Sequence, residues 1–376
     1  MHLRDEWRQT PVRPGDRVHL VGEIAAAPPT GASEPRASMP PAAAVVLTRD
    51  DGPMLVLRPE TIVTGTALAA ACNCPRRAVL ARQRKDDGRG AYQMTLGTMK
   101  HSVLEALLHA WQRGGVEPSW PRVIDHAIAQ ELAALAALGK TDHEARQELH
   151  KFVPVVQRWA RTFLPRAPPA GTPPPPPPAP LPETENMAQR ARAFRAAGLP
   201  SGALRVARVL ATEQQLVSHT YGLKGTVDVV LAAEVLDPHG TPTHQVPVPL
   251  ELKTGKRSQY SAHDHMAQVL VYSLLLGERH SCVVPSGVLY YTQLSDAQGS
   301  RGIFPTPADP PMLASLLMRR NEMVAGCAAH ASADGRMPPM LRSAQQCRFC
   351  PELLHCTLTH RAVEGGDARS SGIDAP

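Results

Sequence analysis

The sequence predicts an α/β protein that begins with a small β-rich region. Short apolar runs separated by turns occupy the first sixty residues, and amphipathic helical patterns follow them. The second half of the chain then has the order strand, strand, strand, helix, strand, which is typical of an α/β core. With 376 residues, of which 43% are hydrophobic, the chain can fill one core and carry a further small domain.

Composition and charge exclude several classes of protein. Forty basic residues against 34 acidic ones give a net charge of +6, which permits a polyanionic partner without requiring one. No stretch approaches the ~18 uninterrupted apolar residues of a membrane span, so we expect no membrane partner. The segment from Met1 to Glu6 lacks the apolar core of a secretory signal.

The first sixty residues predict a small barrel or sandwich. Pro14-Gly15-Asp16 is a turn, and the alternation from Arg17 to Ile24 favours a strand. Two apolar runs, 45–47 and 54–57, flank Asp50-Asp51-Gly52, a pattern typical of a hairpin. We therefore assign residues 1–60 to a separate β domain.

Helical patterns begin near Thr61. Apolar residues recur at helical spacing in two segments, 103–111 and 124–138. Thr141 and Glu144 have the spacing of a capping box, which predicts the start of a third helix.

A proline-rich segment interrupts the second half. Pro173 to Pro178 are six consecutive prolines, for which polyproline II is the expected local state. We predict an internal linker over 165–200. The strands expected after it lie at 206–210, 225–233, 246–252 and 287–292, with a helix at 264–276. A polar tail, 366–376, is expected to be disordered.

Acidic residues stand in unusual places on two of these strands. Asp228 interrupts the apolar run that follows Gly225. Glu251 and Lys253 are two apart on the next strand and therefore share a face. Gln268 and Tyr272, four apart on the following helix, also share a side.

Acids on two neighbouring strands can converge on a divalent cation, and magnesium prefers such oxygen ligands. A nearby lysine can orient the attacking water or offset charge on a phosphodiester as it is hydrolysed. The alternative is that Glu251 and Lys253 form a weak pair on a solvated strand face. A carboxylate inside an apolar strand, however, is costly to bury unpaired. The ordered set therefore favours a site, and His101 upstream is a ligand only if it joins these carboxylates.

Cysteines near the end of the chain have the spacing of a metal site. Cys347, Cys350 and Cys356 form C-x2-C-x5-C, and the best fourth partner is Cys74. Seven cysteines are too few for a disulfide scaffold in a chain of this size. Zinc and an iron–sulfur cluster both stay open on spacing alone. A simpler interpretation, that Cys72 and Cys74 are ordinary buried residues, also stays open. Cys282 and Cys327 lack suitable spacing and are interpreted as structural.

Three segments together resemble a known family. They are residues 74–80 (CPRRAVL), 222–228 (GLKGTVD) and 249–256 (PLELKTGK). They resemble the N-terminal nuclease half of the eukaryotic replication helicase–nucleases that trim Okazaki-fragment flaps and resect DNA ends. More broadly, they are similar to RecB-type nucleases of the PD-(D/E)XK superfamily that carry a four-cysteine iron–sulfur cluster. The similarity runs from about residue 10 to 365.

The resemblance implies a fold and a set of roles. Residues 61–365 would form a restriction-endonuclease-like mixed sheet flanked by helices, and 1–60 an OB-like barrel. It implies the metal ligands His101, Asp228 and Glu251, the catalytic lysine Lys253 and the supporting pair Gln268 and Tyr272. It implies that a [4Fe–4S] cluster is held by Cys74, Cys347, Cys350 and Cys356. Basic residues beside Cys74 are candidates for tracking DNA phosphates or, equally, a solvated helix face: Arg76, Arg77, Arg82, Arg84 and Lys85.

Two functional hypotheses follow. The first is a Mg²⁺- or Mn²⁺-dependent nuclease on single-stranded or flap DNA in replication and repair, located in the nucleus, with a mitochondrion or other organelle as alternatives. The second is a non-catalytic module that binds DNA or a protein, with a relic nuclease site. The sequence has no G-x-x-x-x-G-K-[ST] motif, so we assign it no helicase motor. The chain is then a fragment, a truncated gene product or a stand-alone nuclease, and a motor or a single-strand-binding protein would act in trans.

Overall fold

The computed structural model describes residues 2–3, 5–22, 46–47, 53–83, 92–113, 117–166, 173, 175–296, 301–331, 337–341 and 343–367. Two compact units are present. The first contains Met1–Arg84, Val217–Lys224 and Pro310–Pro376, and the second contains Lys85–Leu216 and Gly225–Asp309. No helix in the described part of the chain is both long and apolar enough to span a membrane.

The second unit is built on a mixed sheet. Its strands are β6 (Ala203–Ser218), β7 (Leu223–Leu236), β8 (Pro242–Lys253), β9 (Ser286–Tyr291) and β10 (Ile303–Pro307). The order is β10-β9-β8-β7, and β6 also pairs with β7. Strand β8 is antiparallel to β7 and parallel to β9. The parallel pair is joined through a helix, as a crossover connection requires.

Helices cover both faces of this sheet. They are α3 (Tyr92–Gln112), α4 (Trp120–Ala137), α5 (Asp142–Phe163), α6 (Met187–Ala196) and α7 (Gln259–His280), with a 3₁₀ turn at Thr292–Leu294. Residues from α3, α4 and α5 share one core with Val229 and Leu250. On the opposite face, Val269 of α7 packs on Leu289 and Tyr291. The capping box of Thr141 and Glu144 at the start of α5 is confirmed.

The first unit combines short strands with helices. They are β1 (His2–Leu3), β2 (Val18–Val21), β3 (Val46–Leu47), β4 (Met54–Leu57), β5 (Val63–Thr64), α1 (Gly65–Asn73), α2 (Pro75–Gln83), α8 (Pro310–Ala331), α9 (Ala344–Cys347) and α10 (Leu353–Ala362), with a 3₁₀ turn at Asp5–Gln9. Strand β5 pairs in parallel with the first two residues of β7.

Two buried polar residues of α8 hold strand β4. The Asn321 side chain accepts from Leu57 N at 2.8 Å and donates to Leu55 O at 2.7 Å. The Arg320 guanidinium donates to the carbonyls of Arg58 and Thr61 at 2.9 and 2.8 Å. These bonds satisfy backbone groups that would otherwise be costly to bury. They join residues more than 250 positions apart in one unit.

The predicted hairpin of 45–47 and 54–57 is wrong. Strand β4 pairs with β2 in antiparallel fashion, and β3 pairs with β1 in parallel. The cause is burial, because Leu55, Val56 and Leu57 are all fully buried and their partner is set by the core rather than by the nearest turn. The turn predicted at 50–52 lies outside the described residues. A barrel in this region stays a prediction.

Two further differences concern the organisation of the chain. The segment interpreted as a linker, 165–200, contains helix α6, whose Ala193 and Phe194 are buried. Burial of these apolar side chains stabilises the helix, and it outweighs the effect of the flanking prolines, which disfavour helical structure. The unit boundaries also differ from a division at residue 60, since the N-terminal and C-terminal segments form one unit. The tail beyond residue 367 lies outside the described residues.

Candidate active site and cysteine site

Two acids face one another across strands β7 and β8 of the second unit. The register pairs Val229 with Leu250. Asp228 and Glu251 are the next residues of the two antiparallel strands and therefore come opposite one another. Paired residues project from the same face of a sheet, so both carboxylates lie on the face opposite Val229 and Leu250. Asp228 is 9% exposed and Glu251 is 3% exposed. Two carboxylates are therefore buried side by side.

Local structure explains why these strands can carry the acids. The backbone N–H of Leu252 donates to Asp228 Oδ2 at 2.7 Å, so one oxygen of the aspartate is held by the neighbouring strand. Gly225 opens the motif because a Cβ there would lie 2.7 Å from Cε1 of the Tyr272 ring. The glycine thus admits the helix side chain against the strand.

A hydrogen-bonded chain runs from Glu251 to helix α7. The Lys253 ammonium donates to Glu251 Oε1 at 2.6 Å and to Gln268 Oε1 at 3.0 Å. The Gln268 amide donates in turn to the Tyr272 hydroxyl at 2.6 Å. The strand pair Glu251 and Lys253 and the helix pair Gln268 and Tyr272, each predicted from its spacing, are thus linked to one another. Two acceptors hold the Lys253 ammonium in one place.

A histidine and a further acid complete the group. His101 Nδ1 lies 3.4 Å from Glu213 Oε1 and 3.6 Å from Asp228 Oδ1. One ligand atom from each of these three residues lies within 4.8 Å of the others. Glu213 is not apparent in the sequence, because an acid in a polar stretch of strand carries no motif. Its signal is conformational: φ is 46°, a left-handed value inside a strand.

These residues fit a hard divalent cation. Oε2 of Glu251 is buried and lacks a hydrogen-bond partner in the described part of the chain. An unpartnered buried carboxylate oxygen is costly unless an ion or proton neutralises it. His101, Glu213 and Asp228 offer an imidazole and two carboxylates, an oxygen-rich donor set of the kind that Mg²⁺ or Mn²⁺ prefers. The predicted ligand Glu251 is not in this group of three.

The electrostatics of the site follow from this crowding. Burial raises the pKa of Asp228 above its ordinary value of 3.8, and the nearby Glu213 carboxylate adds to the rise, although the bond from Leu252 opposes it. Burial also raises the pKa of Glu251 above 4.5, with the charge of Asp228 as the next cause. Lys253 only partly offsets this. The metal-free pair therefore holds protons at a higher pH than free carboxyls do.

Glu251→Gln is expected to stabilise the metal-free protein, by roughly 1–3 kcal/mol near pH 8. Because the pKa of Glu251 is raised in the folded state, its contribution to the free energy of unfolding is fully present below the ordinary pKa of 4.5 and is lost as the pH rises above it. Glutamine does not ionise, so the variant has no such loss at any pH. Thermal unfolding in chelator at pH 5 and pH 8.5 measures this, and the gain should be larger at pH 8.5. A gain independent of pH would contradict the ionisation argument.

The four predicted cysteines lie together in the first unit. Burial is the main cause that raises the pKa of both Cys347 and Cys356, and nearby cysteines add to the rise. For Cys347 they are Cys74, Cys350 and Cys356, and for Cys356 they are Cys74 and Cys350. The fourth ligand expected 273 residues before Cys347 is therefore brought to the other three. Four clustered thiols form a donor set for zinc or for an iron–sulfur cluster.

The basic candidates beside Cys74 separate into different groups. Arg76 is 1% exposed, and its guanidinium donates to protein groups, so its placement argues against phosphate tracking. Arg77 is half-buried and Arg82 is exposed. Arg84 and Lys85 lie outside the described residues. Helix α2 turns Arg76 inward because positions 76, 79 and 80 share its buried side.

Comparison with known proteins finds one family of similar sequences. A family model described as DNA replication factor Dna2 matches residues 1–233. The chain is 29% identical over 377 residues to the DNA replication ATP-dependent helicase/nuclease JHS1 of Arabidopsis thaliana, covering 99% of this chain and 25% of that protein. It is 27% and 26% identical to the helicase/nucleases DNA2 of Xenopus tropicalis and Homo sapiens, covering 96% of this chain and 31% of each.

The chain thus spans between a quarter and a third of the length of these curated relatives. The alignments nevertheless extend along nearly all of the chain itself, across the acidic site and the cysteines alike. Because the family model also matches more than half of its residues, the chain belongs to the family of the DNA replication factor Dna2.

Proposed function

We propose that this chain is a divalent-metal-dependent nuclease that cleaves single-stranded DNA tails and flaps. The observation that carries the proposal is the buried pair Asp228 and Glu251 on one sheet face, with Lys253 anchored beside it. Relatives are named helicase/nucleases of DNA replication, which supports DNA as the substrate. Preference for single strands and flaps rests on the resemblance of the motifs.

The metal would be Mg²⁺ or Mn²⁺, held by His101, Asp228 and Glu251. We add Glu213 to this set, since its carboxylate meets both His101 and Asp228. When bound, such an ion polarises a phosphoryl oxygen and lowers the pKa of water. Three carboxylates against one divalent charge leave a negative site, which an ammonium group can balance.

Lys253 is the group that we propose acts on the phosphodiester directly. Its ammonium is fixed by Glu251 and by Gln268, and Tyr272 fixes the amide of Gln268 in turn. Held this way, the ammonium keeps an orientation that a free lysine would lose to rotamer motion. It is placed to offset negative charge that develops on the phosphate oxygens and to orient a water.

The cysteine site would hold a [4Fe–4S] cluster with a structural role. Four thiols suit either zinc or an iron–sulfur cluster. The resemblance of the motifs to nucleases that carry a four-cysteine cluster favours the cluster.

DNA binding would draw on the basic residues of α2 that are not fully buried, the half-buried Arg77 and the exposed Arg82. Arg84 and Lys85 follow them in the sequence. Contacts with phosphates would make the affinity fall as salt increases. A helicase motor or a single-strand-binding protein would act with this chain, and we propose the nucleus as the compartment because the relatives are named for DNA replication.

Cleavage of labelled oligonucleotides tests the proposal. Substrates with 5′ and 3′ single-stranded tails are incubated with Mg²⁺ or with chelator, and fully duplex DNA serves as the substrate control. We expect metal-dependent loss of the tails, with the duplex largely intact. Binding without cleavage at any metal concentration would instead favour a DNA-binding module with a relic site.

A further inference from the structure

Arg76 is a fully buried arginine whose guanidinium contacts the cysteine site. Its Nε donates to Cys356 Sγ at 3.2 Å. Its Nη1 donates to Glu364 Oε1 at 2.6 Å and to the carbonyl of Pro338 at 3.1 Å. All these groups belong to the first unit. One planar cation thus joins a sulfur ligand, a carboxylate and the backbone.

The carboxylate partner is itself held. Glu364 Oε2 lies 2.9 Å from His360 Nδ1, one turn earlier in the chain. The bonds to Arg76 and His360 lower the pKa of Glu364, although burial opposes them. The cation therefore lies between a cysteine sulfur and a carboxylate. This is the arrangement of an outer partner that orients a metal ligand.

A buried ion pair alone does not account for this geometry. Arg76 and Glu364 would satisfy each other with two parallel bonds, as arginine and carboxylate commonly do. Here only one nitrogen, Nη1, donates to Glu364, and Nε points to the sulfur instead. Of the two arginines in the motif, Arg77 gives only its backbone N–H to a cysteine, Cys74, at 3.4 Å.

We propose that Arg76 is a positioning residue for the metal site formed by Cys74, Cys347, Cys350 and Cys356. It donates Nε–H to the Cys356 sulfur, holds that sulfur in its binding orientation, and offsets part of the negative charge of the thiolate set. The proposal rests on the assignment of a metal–thiolate site made under the proposed function. It gives Arg76 a role in place of the DNA contact that the sequence suggested.

The charges predict opposite effects from two substitutions. Arg76→Met removes a positive charge and an N–H···S bond, so the reduced cluster loses stabilisation and the midpoint potential falls. Glu364→Gln leaves the N–H···S bond and removes a negative charge, so the midpoint potential rises. Arg76→Lys keeps the charge without the planar fork and should lie between Arg76→Met and the wild type.

The experiment uses the full chain purified without oxygen. Iron, acid-labile sulfide and zinc are quantified first, then the midpoint potential and the rate at which a chelator removes the metal. We expect chelator release to be roughly 10–100-fold faster in Arg76→Met. Arg319→Met is the matched control, because Arg319 is an exposed arginine of the same unit and pairs with Glu322; its potential and release rate should equal those of the wild type.

The outcomes separate the two proposals. Wild-type protein with zinc and no sulfide would overturn the cluster assignment, and the zinc-release rates of Arg76→Met and Arg76→Lys would then test Arg76 alone. If a cluster is present, unchanged potentials in Arg76→Lys and Glu364→Gln would overturn the role of Arg76. Shifts of the same sign in Arg76→Met and Glu364→Gln would also overturn it, since general loosening has no charge dependence. Arg76→Lys and Glu364→Gln serve if Arg76→Met does not fold.

Discussion

Asp228→Asn is expected to lower metal-dependent DNA cleavage by at least about a thousandfold while single-stranded DNA binding is retained. The amide is neutral and a poor ligand for Mg²⁺, so the cation loses a carboxylate that lies 3.6 Å from His101. The amide oxygen can still accept from Leu252, whose N–H now bonds Asp228 Oδ2 at 2.7 Å. The fold should therefore survive better than with Asp228→Ala.

Single-turnover cleavage with Mg²⁺ measures this loss, and fluorescence anisotropy in chelator measures binding. The matched control is Glu234→Gln, which neutralises another acid of the same strand. Glu234 pairs with Arg205 at 2.8 Å and is not part of the metal-ligand group. It should retain cleavage near the wild-type rate. Cleavage that persists in Asp228→Asn with unchanged metal dependence would refute the assignment of Asp228 as a ligand.

Cys74→Ser is expected to remove the proposed iron–sulfur cluster and to destabilise the first unit by roughly 5 kcal/mol. The site would close a loop of 273 residues between Cys74 and Cys347. In the loop-entropy model, a link across so long a loop strongly restricts the unfolded chain, and a bound metal adds its own binding free energy. Since the acidic residues are in the second unit, the direct loss should be in stability and DNA affinity rather than in the cleavage chemistry.

Iron and sulfide content, thermal unfolding and limited proteolysis of the first unit measure this effect. Cys282→Ser is the control, because Cys282 is exposed and belongs to the second unit. It should keep the wild-type iron content and unfolding temperature. Full iron content in Cys74→Ser would show that this distant cysteine is not a ligand and that the C-terminal cysteines bind metal with another partner.

Residues that lie within one strand or one helix could be grouped from the sequence. Glu251 and Lys253 share a face because a strand alternates, and Gln268 and Tyr272 share a side because a helix turns every 3.6 residues. The same local rules predicted the strands and helices around them, including the capping box at Thr141. Motif resemblance then extended the grouping to residues far apart in the chain.

Where long-range packing chose between local options, the sequence predicted less. Leu55, Val56 and Leu57 could pair with either neighbouring run, and burial on both sides selected β2. Glu213 reads as a surface acid until its left-handed backbone turns the carboxylate toward His101. From the sequence, Arg76 resembles a basic surface residue, because the sequence shows its charge. The sequence does not show its pairing with Glu364, which lies 288 positions away.

Local sequence patterns were therefore enough to predict the α/β class, the acids and lysine on adjacent strands, and the group of four cysteines. The period of each element and the spacing of its polar residues are local properties, and a chain displays them directly. Three features became apparent from the folded chain alone: Glu213 joins the acidic group, Arg76 faces a sulfur, and the N-terminal and C-terminal segments form one unit. Such choices depend on which distant groups satisfy one another's charge and hydrogen bonds once water is excluded.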